Sequence, residues 1–337
     1  MTKPRAKLLV AQSFLRREDF GPLKRYADVY WLEDLDEKDQ DRVLPSIECI
    51  FSHGWPKSLD AAKLSKMRSL RFFQAGNAGV NGMRFDLLPK SVLMCSNAGA
   101  YSDEVAEFAI GLMLAATKSI VRFDLELRRG TYASGSQSSL KLDELGSQVA
   151  SMMGKTLGII GYGGIGRSTA RLARPFGMKI LAFGRHAILD NGVTQLRGKT
   201  GLKSLLRDSD VVLLALPLTK ATRGFVGREE LAAMKPDAVL VNVARGQVVQ
   251  ERAVYDWLVR NPRAVYATDV WWPKDSGGES FSPDLPFLEL DNFIGTPHAS
   301  GPSALATGSV ARGSIENLVR YFKGQPLRNV VDRSEYA

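Results

Sequence analysis

The sequence predicts an α/β protein with two doubly wound parallel sheets. Short, almost continuous apolar runs alternate with segments at helical spacing, which is how strands buried on both faces and their crossover helices read. A length of 337 residues sets a prior of two such domains. A strand, a glycine turn, a helix and a second strand follow one another without interruption across residues 154–185.

Taken in order, residues 7–11, 29–32, 48–51, 71–74 and 92–95 read as strands, and 59–67 as a helix between them. A glycine-bearing loop, residues 76–82, follows the fourth run; its backbone N–H groups can form an anion-binding concavity or a plain turn. Ser102 is placed to cap a long helix, with Asp103 and Glu104 favourably in its first turn. Val105, Phe108, Ala109, Leu112, Met113 and Ala116 form its core stripe. The helix is expected to break near Thr117 and Lys118 and to run on to Arg129. Residues 130–153 are polar and serine-rich and read as a loop and arm reaching toward a second subunit. Strands resume at 157–160, 180–183, 210–215, 238–243, 264–267 and 292–294. Helices are expected at 167–174, 202–207, 229–234, 251–260 and 304–322, the last stopped by Gly324 and Pro326.

Composition narrows the function classes. With 45% hydrophobic and 24% charged residues, this is an ordinary soluble globular chain. The net charge of +9 and pI near 9.5 raise nucleic acid as a partner. The charges are scattered, with no arginine-rich tail or aromatic-interleaved basic stripe, so attraction of an anionic substrate and cofactor is the sufficient account. Cys49 and Cys95 lie in apolar runs and read as reduced core thiols, which suits a cytoplasmic setting. The apolar run 8–11 is too short for a signal peptide, and 108–116 is far below a membrane span. No metal-ligand spacing is present, so no metal is expected.

The central unit carries G-x-G-x-x-G as Gly161, Gly163 and Gly166, with Tyr162, Gly164 and Ile165 between them. Gly161 allows the sharp turn out of the strand, Gly163 admits a pyrophosphate close to the backbone, and Gly166 lets the helix sit against the sheet. The helix N-terminus then faces the phosphates. At the end of the next strand, NAD sites carry an acidic residue that holds the ribose 2′-hydroxyl. This chain has Gly184 there, followed by Arg185 and His186. An arginine pairs with a 2′-phosphate, so NADP(H) is expected, with NAD as the alternative.

Ligands of doubly wound sheets bind beyond the carboxyl ends of the strands. The residues there are Arg245 after the 238–243 run, Asp269 after 264–267, and His298 after 292–294. Arginine can bind a carboxylate and polarise a ketone, and histidine can supply a proton to the developing alkoxide. This constellation is sufficient for hydride transfer to a 2-oxo acid.

Several segments in order resemble the D-isomer-specific 2-hydroxyacid dehydrogenases, over nearly the whole chain. They are residues 97–107, the 156–166 stretch, Leu216-Pro217-Leu218-Thr219 with Thr222, the segment ending in Val243-Ala244-Arg245-Gly246, Asp269-Val270, and Thr296-Pro297-His298. The resemblance implies a discontinuous, flavodoxin-like substrate-binding domain from residues 1–117 and 299–337, an NAD(P)-binding Rossmann domain at 118–298, and a homodimer. It makes Arg245 the substrate-binding residue and His298 the acid/base, and adds Asp269 to the catalytic group. The glycine turn, Gly184, Arg185, Leu216, Pro217, Thr222, Val243, Ala244 and Asp269 would hold the cofactor. Asn77, Ala78, Gly79 and Val80 would hold the substrate carboxylate through their N–H groups, and Tyr101 would touch the substrate.

One departure stands out. The family usually carries a glutamate five residues after the Asp269 equivalent, paired with the histidine; here Lys274 occupies that place. A lysine disfavours the imidazolium and accepts no hydrogen bond. Asp275 or Glu279 takes the role through a shifted loop, the histidine works alone, or the chemistry is lost. Formate dehydrogenases of the family share the Asp-Val-Trp-aromatic-Pro run of residues 269–273 and carry glutamine next, so a missing carboxylate need not end activity. The expected function is therefore NADP(H)-linked interconversion of a small 2-oxo and 2-hydroxy acid, such as glyoxylate or hydroxypyruvate. The alternative is a dinucleotide-sensing binding protein without turnover on the same fold.

Overall fold

A computed structural model describes residues 5–130, 150–187, 189–273, 281, 283–301 and 303–336. In chain order the elements begin with β1 (Ala6–Gln12), β2 (Ala27–Trp31), α1 (Glu37–Val43), β3 (Cys49–Ser52), α2 (Ala61–Lys66), β4 (Phe72–Ala75) and β5 (Leu93–Cys95). The run α3 (Ser102–Thr117), α4 (Ile120–Arg128), β6 (Thr156–Ile160), α5 (Gly164–Ala173), β7 (Lys179–Phe183), β8 (Val193–Leu196), α6 (Gly198–Asp208) and β9 (Val211–Leu214) follows. Then come α7 (Arg228–Ala232), β10 (Val239–Asn242), α8 (Glu251–Arg260), β11 (Val265–Thr268), β12 (Phe293–Gly295) and α9 (Ala304–Phe322). The chain divides into two compact units, residues 1–101 with 302–337, and residues 102–301.

The first unit holds a parallel sheet in the order β2-β1-β3-β4-β5, the flavodoxin-like arrangement. Its inner strands β3 and β4 are buried at every residue, which explains why they read as unbroken apolar runs. Leu9, Ile50 and Phe73 pack one face against Leu44, Ile47 and Leu64. On the other face, Leu8, Phe51 and Phe72 pack against Val310 and Leu318 of α9. A polar staple adds to this. The buried Asn317 donates from Nδ2 to Gln74 Oε1 at 2.7 Å and accepts from the Arg328 N–H at 2.9 Å.

The second unit holds a seven-stranded parallel sheet, β12-β11-β10-β9-β6-β7-β8. Strand order reverses between β6 and β9, the switch point where doubly wound sheets bind ligands. Strands β9 and β10 are wholly buried.

Most strands and helices fall within one to three residues of expectation; α6 begins four residues early, at Gly198, and three further features differ. Strand β8, Val-Thr-Gln-Leu, was not foreseen, because as an edge strand with no fully buried residue it lacks an apolar run. Helix α1 was missed for a similar reason: six of its seven residues, Glu-Lys-Asp-Gln-Asp-Arg, are polar, and only Val43 is buried. Its start is nonetheless marked by Asp36, whose carboxylate accepts the Asp39 N–H. The domain boundary also differs. Residues 102–117 were expected with the first unit, but α3 belongs to the second and packs along α5. The break after α3 does occur, at Ser119, which has φ 52°. Most of the expected arm, 131–149, lies outside the described residues.

His53, directly after β3, is a buried imidazole, 6% exposed, and neither ring nitrogen has a hydrogen-bond partner. Phe14 lies against it, tilted by 33°, at 3.8 Å between centroids, and Phe51 meets it edge-on at 5.1 Å. Burial lowers its pKa to about 4. In the unfolded chain an imidazole titrates near 6.5, so between about pH 6.5 and 4 the unfolded state binds more protons. Stability is therefore full above that window and falls as pH drops through it, by up to about 3 kcal/mol. Urea unfolding at pH 7 and 4.5 should show His53→Leu losing less stability than the wild type on acidification. Equal losses would mean that this ring contributes nothing to the acid sensitivity.

Candidate active site

The glycine turn between β6 and α5 has the backbone its sequence requires. Gly161 sits at φ 100°, and a Cβ there would lie 2.5 Å from the Ala215 carbonyl oxygen. A Cβ at Gly166 would lie 2.4 Å from the Gly161 carbonyl oxygen, so the helix touches the turn directly. At Gly163 a Cβ would meet nothing within 4 Å, leaving open space over the turn. Gly163 is the N-cap of α5 and no side chain caps it, so the first N–H groups of the helix stay available. These features fit a dinucleotide pyrophosphate.

At the far end of β7, Gly184 is half-buried and Arg185 and His186 are exposed. The acidic residue of the β7–β8 connection, Asp190, is engaged elsewhere. It accepts from the Tyr162 hydroxyl at 2.6 Å and pairs with Arg174. Burial and the neighbouring carboxylate push the Tyr162 phenol upward, and hydrogen bonds from Tyr162 and Arg174 hold Asp190 below the usual carboxylate range. Tyr162 thus braces the glycine turn against the β7–β8 connection. Thr222 spends its hydroxyl on a local turn, donating to the Pro217 carbonyl at 2.6 Å and accepting from the Thr219 N–H at 2.8 Å. Leu216, Val243 and Ala244 are buried, while Pro217 is exposed.

Arg245, Asp269 and His298 follow β10, β11 and β12, three neighbouring strands of one sheet. At the usual strand spacing the outer two ends are about 10 Å apart. Asn242, fully buried, shapes the first turn. Its Oδ1 accepts the Ala244 N–H at 3.0 Å and its Nδ2 donates to the Arg245 carbonyl at 3.1 Å. Asp269 is also fully buried and shapes the last. Its carboxylate accepts the Thr296 hydroxyl at 2.6 Å and the N–H groups of Ala299 and Ser300 at 2.8 and 2.9 Å. Those partners flank His298, which is exposed and sits at φ 53°, a conformation that costs a non-glycine residue of order 1–3 kcal/mol. Charge-assisted hydrogen bonds on both sides hold it there.

Trp271 lies between the two turns. A Cβ at Gly246 would fall 2.2 Å from its carbonyl carbon, and one at Gly295 would fall 2.7 Å from its indole ring. Its indole N–H donates to the Thr296 carbonyl at 2.8 Å. Trp271 and Trp272 are both core residues, 4% and 8% exposed. Lys274, Asp275 and Glu279 lie outside the described residues. Among the described residues, no group of three or more histidine, cysteine, aspartate or glutamate side chains could hold a metal ion.

In the first unit, the loop after β4 offers a separate feature. Asn77, Ala78 and Gly79 are half-buried and Val80 is buried. Among the described residues, none of their four N–H groups has a hydrogen-bond partner. The loop is tied down by the Asn97 N–H donating to the Asn77 carbonyl at 2.8 Å and by the Gly54 N–H donating to Asn77 Oδ1 at 2.5 Å. Asn97 also donates from Nδ2 to Val310 and Ser314 at 3.0 Å. Tyr101 is half-buried at the end of the unit. His53 stands at the same sheet edge, its Nε2 2.3 Å from where a Cβ of Gly76 would be. In the sequence its signal is a histidine ending an apolar run, in a chain with three histidines.

Residues 110–300 match the family model described as D-isomer specific 2-hydroxyacid dehydrogenase, NAD binding domain. A D-3-phosphoglycerate dehydrogenase of Methanocaldococcus jannaschii is 32% identical over 263 residues, 76% of this chain and 47% of that protein. The chain thus spans about half the length of the curated phosphoglycerate dehydrogenases it matches. A hydroxypyruvate reductase of Thermotoga maritima is 30% identical over 293 residues, 86% of this chain and 89% of that one. The solved structure of protein PH0520 from Pyrococcus horikoshii superposes with TM-score 0.76 at 27% identity, covering 98% of this chain and 96% of that one. The matched range 110–300 takes in the nucleotide-type glycine turn on one side of the switch point and the three adjacent strand ends that carry Arg245, Asp269 and His298 on the other, and the protein belongs to the D-isomer-specific 2-hydroxyacid dehydrogenase family.

Proposed function

We propose that the protein is an NADP(H)-dependent oxidoreductase interconverting a small 2-oxo acid and its D-2-hydroxy acid, with glyoxylate and hydroxypyruvate as the substrate type. The observation that carries this reading is the placing of Arg245 and His298 on the outer two of three adjacent parallel strand ends, with the Asp269 carboxylate fixing the histidine turn.

Residues 161–166 hold the pyrophosphate, and Leu216, Pro217, Thr222, Val243 and Ala244 line the cofactor path. The reduced nicotinamide supplies a hydride when bound. Arg245 pairs with the substrate carboxylate and polarises the carbonyl to be reduced. His298 gives its proton to the oxygen as negative charge develops there, and takes it back in the reverse direction. Asp269 keeps that imidazole in its left-handed turn, aimed at the reacting oxygen. In the first unit, the N–H groups of Asn77, Ala78, Gly79 and Val80 offer a cradle for a carboxylate, and Tyr101 is the accompanying substrate contact. Gly184 leaves room where a carboxylate would repel a 2′-phosphate, and Arg185 attracts one. A second copy of the chain covers α4, which has no buried residue and exposes Ile120, Leu125 and Leu127.

Three measurements test this. Reduction of a 2-oxo acid panel with NADPH should be supported by the wild type, with kcat/KM lowered about 10²–10⁴-fold in His298→Ala and less in Asp269→Asn. Binding of NADPH without turnover by the wild type would instead make the protein a dinucleotide sensor. Arg185→Ala should shift the NADPH-to-NADH ratio of kcat/KM toward NADH by about tenfold or more, as expected for loss of a charged hydrogen bond; an unchanged ratio counts against the phosphate assignment. Leu127→Asp should convert a dimer to a monomer by light scattering, and a wild type already at 37.0 kDa in solution overturns the dimer.

A further inference from the structure

We propose that His53 is a specificity-determining residue whose neutral imidazole hydrogen-bonds the 3-hydroxyl of a three-carbon 2-oxo or 2-hydroxy acid held by its carboxylate on the 76–80 loop. The inference rests on the reading of that loop as a carboxylate cradle, and it lies wholly within the first unit.

Among the described residues, the buried side-chain polar atoms without a hydrogen-bond partner are Ser52 Oγ and the two ring nitrogens of His53. They are consecutive, at the carboxyl end of β3, the middle strand of its sheet. That edge is where a parallel sheet binds ligands. An unsatisfied buried polar group costs about 1–3 kcal/mol, so a fold that keeps an imidazole this way carries a cost that a ligand hydrogen bond would recover. The ring and the loop are built against each other. Gly76 begins the loop, its N–H donates to the Ser52 carbonyl at 2.9 Å, and any side chain at Gly76 would occupy the space of the His53 ring. The cover on the ring is Phe14, itself 53% exposed and therefore inexpensive to displace. With Phe14 aside, a turn of the imidazole brings a nitrogen toward a ligand on the neighbouring N–H groups.

The chemistry of the ring selects the ligand group. Its ring contacts are Phe14 and Phe51, burial alone governs its ionisation, and it stays neutral at physiological pH. A neutral imidazole offers one donor and one acceptor, the complement of a hydroxyl, which also has both. A phosphate or a second carboxylate would call for a cation instead. A three-carbon acid with a 3-hydroxyl therefore fits better than a phosphorylated or dicarboxylic one.

The test compares kcat/KM for hydroxypyruvate, pyruvate and glyoxylate in the wild type, His53→Leu and His53→Asn. The expected result is a hydroxypyruvate-to-pyruvate ratio that falls about 10- to 100-fold in His53→Leu and is partly kept in His53→Asn, which retains a donor and an acceptor. A ratio that does not move, because both substrates lose equally, assigns His53 to structure alone and overturns the proposal. Calorimetric binding of D-glycerate and D-lactate to the same proteins separates this from the catalytic reading. A His53-dependent preference for D-glycerate without turnover keeps the inference and removes the dehydrogenase assignment. Turnover of glyoxylate with no His53-dependent preference in either assay does the reverse.

Discussion

The buried carboxylate of Asp269 is the constraint on which the geometry of the turn after β12 depends. A fully buried anion must be compensated, and here three donors from the turn after β12 converge on it. The requirement works in both directions. The turn neutralises a charge that the sheet would otherwise expel, and the charge holds His298 in a left-handed conformation that the residue would not choose. Asn242 does the same for the turn of Arg245 with an uncharged amide. Trp271 then fixes the two turns relative to one another, since both Gly246 and Gly295 lie against it.

Two different physical problems are thus solved at two strand ends of one sheet, after β6 and after β12. The glycine turn must keep backbone N–H groups bare and approachable, and it does so by omitting side chains at Gly161, Gly163 and Gly166. The histidine turn leaves one side chain exposed while the Thr296 hydroxyl and the Ala299 and Ser300 N–H groups are all committed to Asp269. The first design tolerates no added carbon at Gly161 or Gly166. The second depends on the acceptor capacity of a single carboxylate.

Much of this was legible in the chain. Strands buried on both faces announce themselves as apolar runs, so β9, β10 and the central strands of the first unit were readable, and the residues that follow them could be inspected for chemistry. What could not be read were elements whose sequence carries no periodic apolar signal: the edge strand β8, the polar helix α1, and the 3₁₀ turn at Arg17–Arg25 with Pro22 inside it. Nor could a linear reading assign Asp269 as a turn holder, because its partners lie at a strand end that only the sheet order brings beside it. His53 escaped for a related reason. A titratable side chain is presumed solvated until its neighbours are known, and its neighbours, Phe14 and Gly76, are remote in sequence.

The discontinuity of the first unit has a consequence for how the chain reaches its native state. Residues 102–301 form a contiguous unit whose strands are all present before the last helix is made. The first unit cannot bury Leu8, Phe51 and Phe72, or satisfy Gln74, until α9 arrives with Val310, Leu318 and Asn317. During synthesis, then, the later part of the chain is able to mature first, while an earlier-made sheet waits with one apolar face uncovered, the kind of intermediate on which chaperones act.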